Sequence, residues 1–107
     1  MDTSRYVAHT VMVKINFERV KIYTGVAHKE FFITNIKESF ADVIYKHGSG
    51  IKAHALAFKI FNSNGETDYS DEEVRLIRFA AENYCTPNSM DAIIDLLDSG
   101  KESNDNE

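Results

Sequence analysis

Hydrophobic and polar residues alternate along the first quarter of the chain, which is the pattern of a strand with one buried face. The alternation is regular from Thr10 to Phe17, and residues 20–24 repeat it after a turn at Glu18 and Arg19. Residues 30–33 (Glu-Phe-Phe-Ile) add a third short apolar segment. The pattern therefore predicts an N-terminal β-hairpin or three-stranded meander, one face of which must be covered by helices.

From residue 36 onward, apolar residues recur at the spacing of amphipathic helices. Asn35 with Glu38 forms a capping-box-like start, Gly48 a stop, and Thr86-Pro87 a cap followed by a first-turn proline. Residues 51–61 are apolar nearly all round, which predicts a central, largely buried helix, although a strand over residues 55–61 fits as well. The sequence thus predicts an α+β fold with three to four helices, over residues 36–47, 51–61, 71–85 and 87–99.

Length and composition are those of one small folded domain. The chain has 107 residues, of which 43% are hydrophobic and 27% are charged. We expect a single globular domain over residues 1–100 and a disordered acidic tail over residues 101–107. A single cysteine fits a reducing compartment, and no apolar run approaches the ~20 residues of a membrane helix. A cytoplasmic protein without a membrane partner is therefore expected.

The residue types that catalyse reactions or bind cofactors do not occur at the spacings that such sites require. Cys85 falls at the C-terminal end of a predicted helix, where the helix dipole disfavours a thiolate. The glycines at positions 48 and 50 are not followed by the Lys-Ser/Thr pair of a phosphate-binding loop. The four histidines have no metal-ligand spacing; they are His9, His28, His47 and His54. We therefore expect neither an enzyme nor a cofactor.

One segment has oxygen-bearing side chains at the spacing of a calcium loop. The residues at the ligand positions are Asn62, Asn64, Glu66, Ser70 and Glu73. The segment resembles an EF-hand, which would imply weak calcium binding at residues 62–73. It departs from that pattern at the first position, where neutral Asn62 replaces aspartate, and at the sixth, where Thr67 replaces glycine.

The same segment can be explained without a metal. Residues 62–65 (Asn-Ser-Asn-Gly) are turn-forming and would end one helix. Ser70 and Glu73 have the spacing of a capping box, which would begin the next helix. We favour this interpretation, in which residues 62–70 form a helix–turn–helix joint, and keep the calcium loop as an alternative.

Charge is distributed unequally between the two parts of the chain. Residues 1–60 contain nine Lys and Arg against five acids, net +4, whereas residues 61–107 contain three against twelve, net −9. The basic N-terminal part makes nucleic-acid binding a further alternative. The overall pI of about 5.3 argues against it, as does the apolar character of the second predicted helix.

The function that these observations favour is a small non-enzymatic interaction or regulatory module that docks on another macromolecule. The partner would be an unidentified protein or a second copy of the chain. Two contact surfaces are predicted: the hairpin, with Lys14, Arg19, Lys21 and Tyr23, and the last helix, with Met90, Ile94 and Leu97. The stripe on the last helix also has the spacing of a core face, so that interpretation stays open.

Overall fold

The fold is known from a computed structural model that describes residues 12–99. In chain order the elements are β1 (Met12–Ile15), β2 (Val20–Tyr23), β3 (Phe31–Thr34), α1 (Lys37–His47), α2 (Gly50–Phe61), β4 (Thr67–Ser70), α3 (Asp71–Tyr84) and α4 (Pro87–Ser99). Within the described residues, N-terminal strands are thus followed by four helices, which confirms the predicted α+β class. The start of the first predicted strand and the predicted acidic tail at 101–107 lie outside the described residues.

The strands form two separate antiparallel pairs. β2 pairs with β3, so that Lys21 faces Ile33 and Tyr23 faces Phe31. These two strands are the second and third strands of the predicted N-terminal meander. β1 is not part of it, because it pairs instead with β4, and Val13 faces Tyr69. The turn at Glu18 and Arg19 therefore connects two sheets, and the expectation that it joins paired strands is wrong.

The pairing of β1 with β4 buries the residues that alternate along β1. Val13, Ile15 and Phe17 are almost fully buried, as is Tyr69 on the partner strand. The Phe17 ring stacks on Phe40 of α1 with centroids 5.3 Å apart, and it meets Tyr69 edge-on at 5.9 Å. The core of the domain therefore lies between this sheet and the helices.

A strand occupies part of the joint between α2 and α3, where the sequence indicated only a turn. β4 begins at Thr67 and leads directly into α3, whose first residue is Asp71. Tyr69 is the buried residue of this strand, and burial raises the pKa of Tyr69 to about 12. The negative charge of the nearby Glu73 also raises the pKa of Tyr69, whereas the Ser63 side chain lowers it. The segment between α2 and α3 is therefore stabilised by the burial of Tyr69 in the core as well as by its own turn.

Residues 55–61 are helical, which decides the choice between helix and strand for this segment. The helix α2 is amphipathic, and the expectation that it is largely buried is wrong. Ala53, Leu56, Ala57 and Ile60 face the core. On the other side, aromatic and aliphatic side chains remain exposed; they are Ile51 at 76%, Phe58 at 46% and Phe61 at 47%.

The two ends of α1 differ in detail from the predicted caps. The helix starts at Lys37 with Ile36 at the N-cap, and Asn35 instead accepts a hydrogen bond from the Lys37 backbone N–H at 2.9 Å. At the other end Gly48 has an ordinary φ of −74°. A Cβ at position 48 would lie 2.6 Å from both Ala53 Cβ and Ile44 O. Glycine is thus required there for close packing of α1 on α2.

Among residues 12–99, no helix has the length and apolar character needed to cross a membrane.

Candidate binding surfaces

The outer face of the β2–β3 hairpin is largely apolar, and no other described element buries it. Because side chains alternate along a strand, Val20 and Ile22 turn inward to Ala92 of α4 and are buried. Lys21 and Tyr23 project to the other side. Their cross-strand partners share this face and complete the set, which is Lys21, Tyr23, Phe31 and Ile33. We call these four residues the hairpin face.

Three side chains of the hairpin face, those of Lys21, Tyr23 and Phe31, contact one another. The Lys21 ammonium lies 4.6 Å from the Phe31 ring centroid and 5.3 Å from that of Tyr23. The Tyr23 ring stacks on His28 with centroids 3.9 Å apart, and His28 Nε2 lies 3.6 Å from a carboxylate oxygen of Asp91. Phe31 and Ile33 nevertheless stay 51% and 44% exposed. The apolar surface is therefore preformed but open to solvent.

Among residues 12–99, the outer edge of β3 has backbone groups that no strand pairs with. Thr24 N donates to Glu30 O, so positions 22/32 and 20/34 are the hydrogen-bonded pairs and positions 23/31 and 21/33 are not. The N–H and C=O groups of Phe31 and Ile33 consequently point away from β2. Within the described part of the chain no strand pairs with this edge.

One cation, Lys21, lies in the hairpin face, and two more, Arg19 and Lys29, lie next to the starts of β2 and β3 in the chain. Arg19, Lys21 and Lys29 are exposed, and none forms a salt bridge with another described residue. Of the predicted hairpin residues, the structure thus brings Lys21 and Tyr23 together. Lys14 lies on the other sheet, where its ammonium contacts Asp68 at 2.9 Å.

The predicted contact residues on the last helix face the interior. Leu97 is 1% exposed and belongs to the main core cluster, against which half-buried Met90 and Ile94 also pack. In this conformation Leu97 is not accessible to a partner. The position of Met90, Ile94 and Leu97 in the structure therefore agrees with the interpretation of this stripe as a core face.

A groove between α1 and α2 was not found from the sequence. It has a volume of about 390 Å³, and the aromatic rings of Tyr45, Phe58 and Phe61 line it together with the carboxylates of Glu38 and Asp42. In the sequence, Phe58 and Phe61 have the spacing of core residues. Only the packing of the two helices shows that their rings are exposed.

The calcium-like segment is used for helix capping. Ser70 Oγ accepts a hydrogen bond from Glu73 N, and Glu73 Oε1 accepts one from Ser70 N, which confirms the capping box. Burial alone would raise the pKa of Glu73, but the hydrogen bonds from Lys59 and Ser70 outweigh it and hold that pKa below its usual value. The closing carboxylate of the loop is therefore already bound to groups within the protein.

The other ligand positions of this segment are spread over different structures. Asn62 caps the C-terminus of α2, and Asn64 and Glu66 are exposed. Thr67, at the position where an EF-hand loop turns, is the first residue of β4 and pairs with Ile15. In the part of the chain that is described, no group of three or more His, Cys, Asp or Glu residues is placed to hold a metal ion. Weak calcium binding stays an untested alternative.

Cys85 is half-buried at the C-terminal end of α3, and burial raises the pKa of its thiol. A raised pKa keeps the thiol protonated, which makes it a poor nucleophile.

Comparisons with protein-family models, with curated proteins and with solved structures gave no match to this chain.

Proposed function

We propose that this chain is a small non-enzymatic interaction module whose hairpin binds an extended acidic segment of a partner protein. The segment would add to the outer edge of β3 as a third strand. Backbone hydrogen bonds would supply affinity, and the hairpin face would select the side chains of the partner.

The free edge of β3 is the observation that supports this proposal most. Its outward N–H and C=O groups, at Phe31 and Ile33, form a template for another strand. Natural proteins usually protect such an edge with charges, proline or a covering element. Here the four residues of β3 are Phe-Phe-Ile-Thr, and the first three are 44–51% exposed. An edge of this kind is suited to β-augmentation.

The charges near the hairpin indicate the chemistry of the partner. Arg19, Lys21 and Lys29 form no ion pair within the described residues, so each can attract a carboxylate. Two copies of the hairpin would bring these cations together, and the resulting repulsion disfavours self-association at this edge. An acidic strand is the complementary partner.

The ring geometry favours a peptide over a single-stranded nucleic acid. A base binds an aromatic platform through an open ring face. In this hairpin His28 covers one face of the Tyr23 ring, and the Lys21 ammonium lies over one face of Phe31. These rings are therefore better placed to contact side chains at their edges than to stack with bases.

The test uses two synthetic peptides of about eight residues, one alternating Val with Glu and the other alternating Val with Lys. NMR titration should show binding of the acidic peptide, protection of the Phe31 and Ile33 amides from exchange, and weakening by salt. Phe31→Pro should abolish this protection, because proline removes one edge donor and is tolerated at the first residue of a strand.

Charge reversal supplies a matched pair of variants. Lys21→Glu should weaken binding by about tenfold, whereas Lys46→Glu, at an exposed lysine on α1, should leave it unchanged. Equal binding of both peptides, or loss of binding in both variants, would overturn the proposal. Protection of the same amides by an oligothymidylate, without binding of the acidic peptide, would replace it with nucleic-acid binding.

A further inference from the structure

The groove between α1 and α2 is a second surface, separate from the hairpin. Ala41 and Ala57 are buried between the two helices and form part of its lining. Because both side chains are small, space remains between the larger residues on either side. The helices are ~16–18 Å long, which matches about three turns of another helix.

Aromatic rings line this groove without being needed to fill the core. Tyr45, Phe58 and Phe61 are 58%, 46% and 47% exposed. The Tyr45 and Phe58 rings meet edge-on at 5.8 Å, so each helix contributes one ring of a contacting pair. Clustered exposed apolar side chains of this kind are typical of interaction sites.

Two carboxylates complete the lining and give the groove a charge. Glu38 and Asp42 lie four residues apart on α1, about one helical turn, and both are exposed. Neither forms a salt bridge with another described residue. Other acids do form salt bridges: Glu73 pairs with Lys59, and Glu18 pairs with Lys37. The groove thus combines apolar rings with negative charge that is not neutralised.

We infer that this groove binds an amphipathic helix of a partner protein, one with large apolar side chains and with Lys or Arg one turn apart. The apolar side chains would pack between Tyr45 and Phe58, as in other helix-in-groove complexes. The two cations would pair with Glu38 and Asp42 at the rim. The inference does not depend on the hairpin. If the hairpin proposal and the groove inference are both correct, the chain binds an acidic strand and a basic helix at two separate surfaces.

The experiment compares two synthetic helices of roughly 18 residues with the same leucine face and with either lysine or glutamate on the other face. Isothermal titration and NMR should show that the lysine peptide binds and shifts the amides of α1 and α2. The glutamate peptide should not bind, because its carboxylates would face those of Glu38 and Asp42.

Two pairs of variants separate the groove from general attraction to an acidic protein. Glu38→Lys combined with Asp42→Lys should reduce affinity for the lysine peptide by at least about tenfold, whereas Glu82→Lys, at an exposed acid of α3, should not. Phe58→Ala should reduce affinity, whereas Phe79→Ala, at another exposed ring, should not.

The inference is overturned if the two peptides bind equally, if Glu82→Lys weakens binding as much as the groove variants, or if the shifted amides lie outside α1 and α2. It is also overturned if sedimentation shows a dimer of this chain that the Phe58→Ala variant dissociates, because the groove would then be occupied by a second copy. Binding of the acidic strand peptide to the hairpin should be unchanged in all groove variants, so the two proposals can fail separately.

Discussion

The Lys59 ammonium lies 2.8 Å from Oε1 of Glu73, and this contact connects α2 to the first turn of α3. The same carboxylate oxygen accepts a hydrogen bond from the backbone N–H of Ser70 at 2.9 Å. One side chain therefore caps α3 and fixes the joint between the two helices. This double role accounts for Glu73, the closing carboxylate of the calcium-like segment, without a metal.

The capping role can be tested against the calcium alternative. Ser70→Ala should lower the free energy of unfolding by about 1 kcal/mol, because it removes the acceptor for Glu73 N. If Ser70 acts only as a cap, the loss should be the same in excess EDTA and in millimolar calcium, as measured by thermal unfolding. A rise in melting temperature that is specific to calcium, and that Glu73→Gln abolishes, would instead support a metal site.

Stability should decrease in acid, in part because of Glu73 and Glu18. The pKa of Glu18 is also held below its ordinary value of 4.5, by hydrogen bonds from Lys37 and from the Gly65 N–H. A carboxyl whose pKa is lower in the folded state stabilises the fold above the unfolded-state value. That contribution is lost as the pH falls through the folded-state pKa.

Urea unfolding between neutral pH and about pH 3 should show this loss, and Glu73→Gln should reduce its size. Glu82→Gln, at an exposed acid that forms no ion pair within the described residues, should retain the pH dependence of the original chain. If Glu73→Gln and Glu82→Gln changed the pH dependence of stability equally, the low pKa of Glu73 would not be the cause of this loss.

A substitution at Gly48 would test how closely α1 and α2 pack. Gly48→Ala should destabilise the protein by about 1–3 kcal/mol, because the new Cβ would lie 2.6 Å from Ala53 Cβ and Ile44 O. Gly25→Ala is the matched control, since a Cβ at that position would meet no atom within 4 Å. Denaturant unfolding should therefore separate the two variants. Equal effects would mean that the helices can move apart at little cost.

The sequence predicted the elements that depend on local signals. Residues 50–61 and 71–84 are helices close to where periodicity placed them, and the capping box of Ser70 and Glu73 is present. Such features depend on contacts between residues three or four positions apart. They can therefore be recognised without knowledge of the tertiary structure.

The parts that the sequence did not predict depend on distant contacts. β4 has the polar sequence Thr-Asp-Tyr-Ser, and its partner β1 lies far away in the chain, with Lys14 and Asp68 separated by 54 positions. Thr67 and Tyr69 favour a strand, but Asp68 does not, and the segment is only four residues long. The groove also depends on distant contacts, because Tyr45 and Phe58 come from different helices. Packing alone decides which rings stay exposed.

The position of Leu97 leads to a final prediction about the last helix. Leu97→Ala should reduce stability by about 2–5 kcal/mol, because it leaves a cavity in the core. Ile51→Ala, at an aliphatic residue of α2 that is 76% exposed, should change stability by less than about 0.5 kcal/mol. Chemical denaturation of the two variants measures the difference. If Leu97→Ala instead left stability unchanged and weakened binding of a partner, the apolar stripe of α4 would be a contact surface, as the sequence alone allowed.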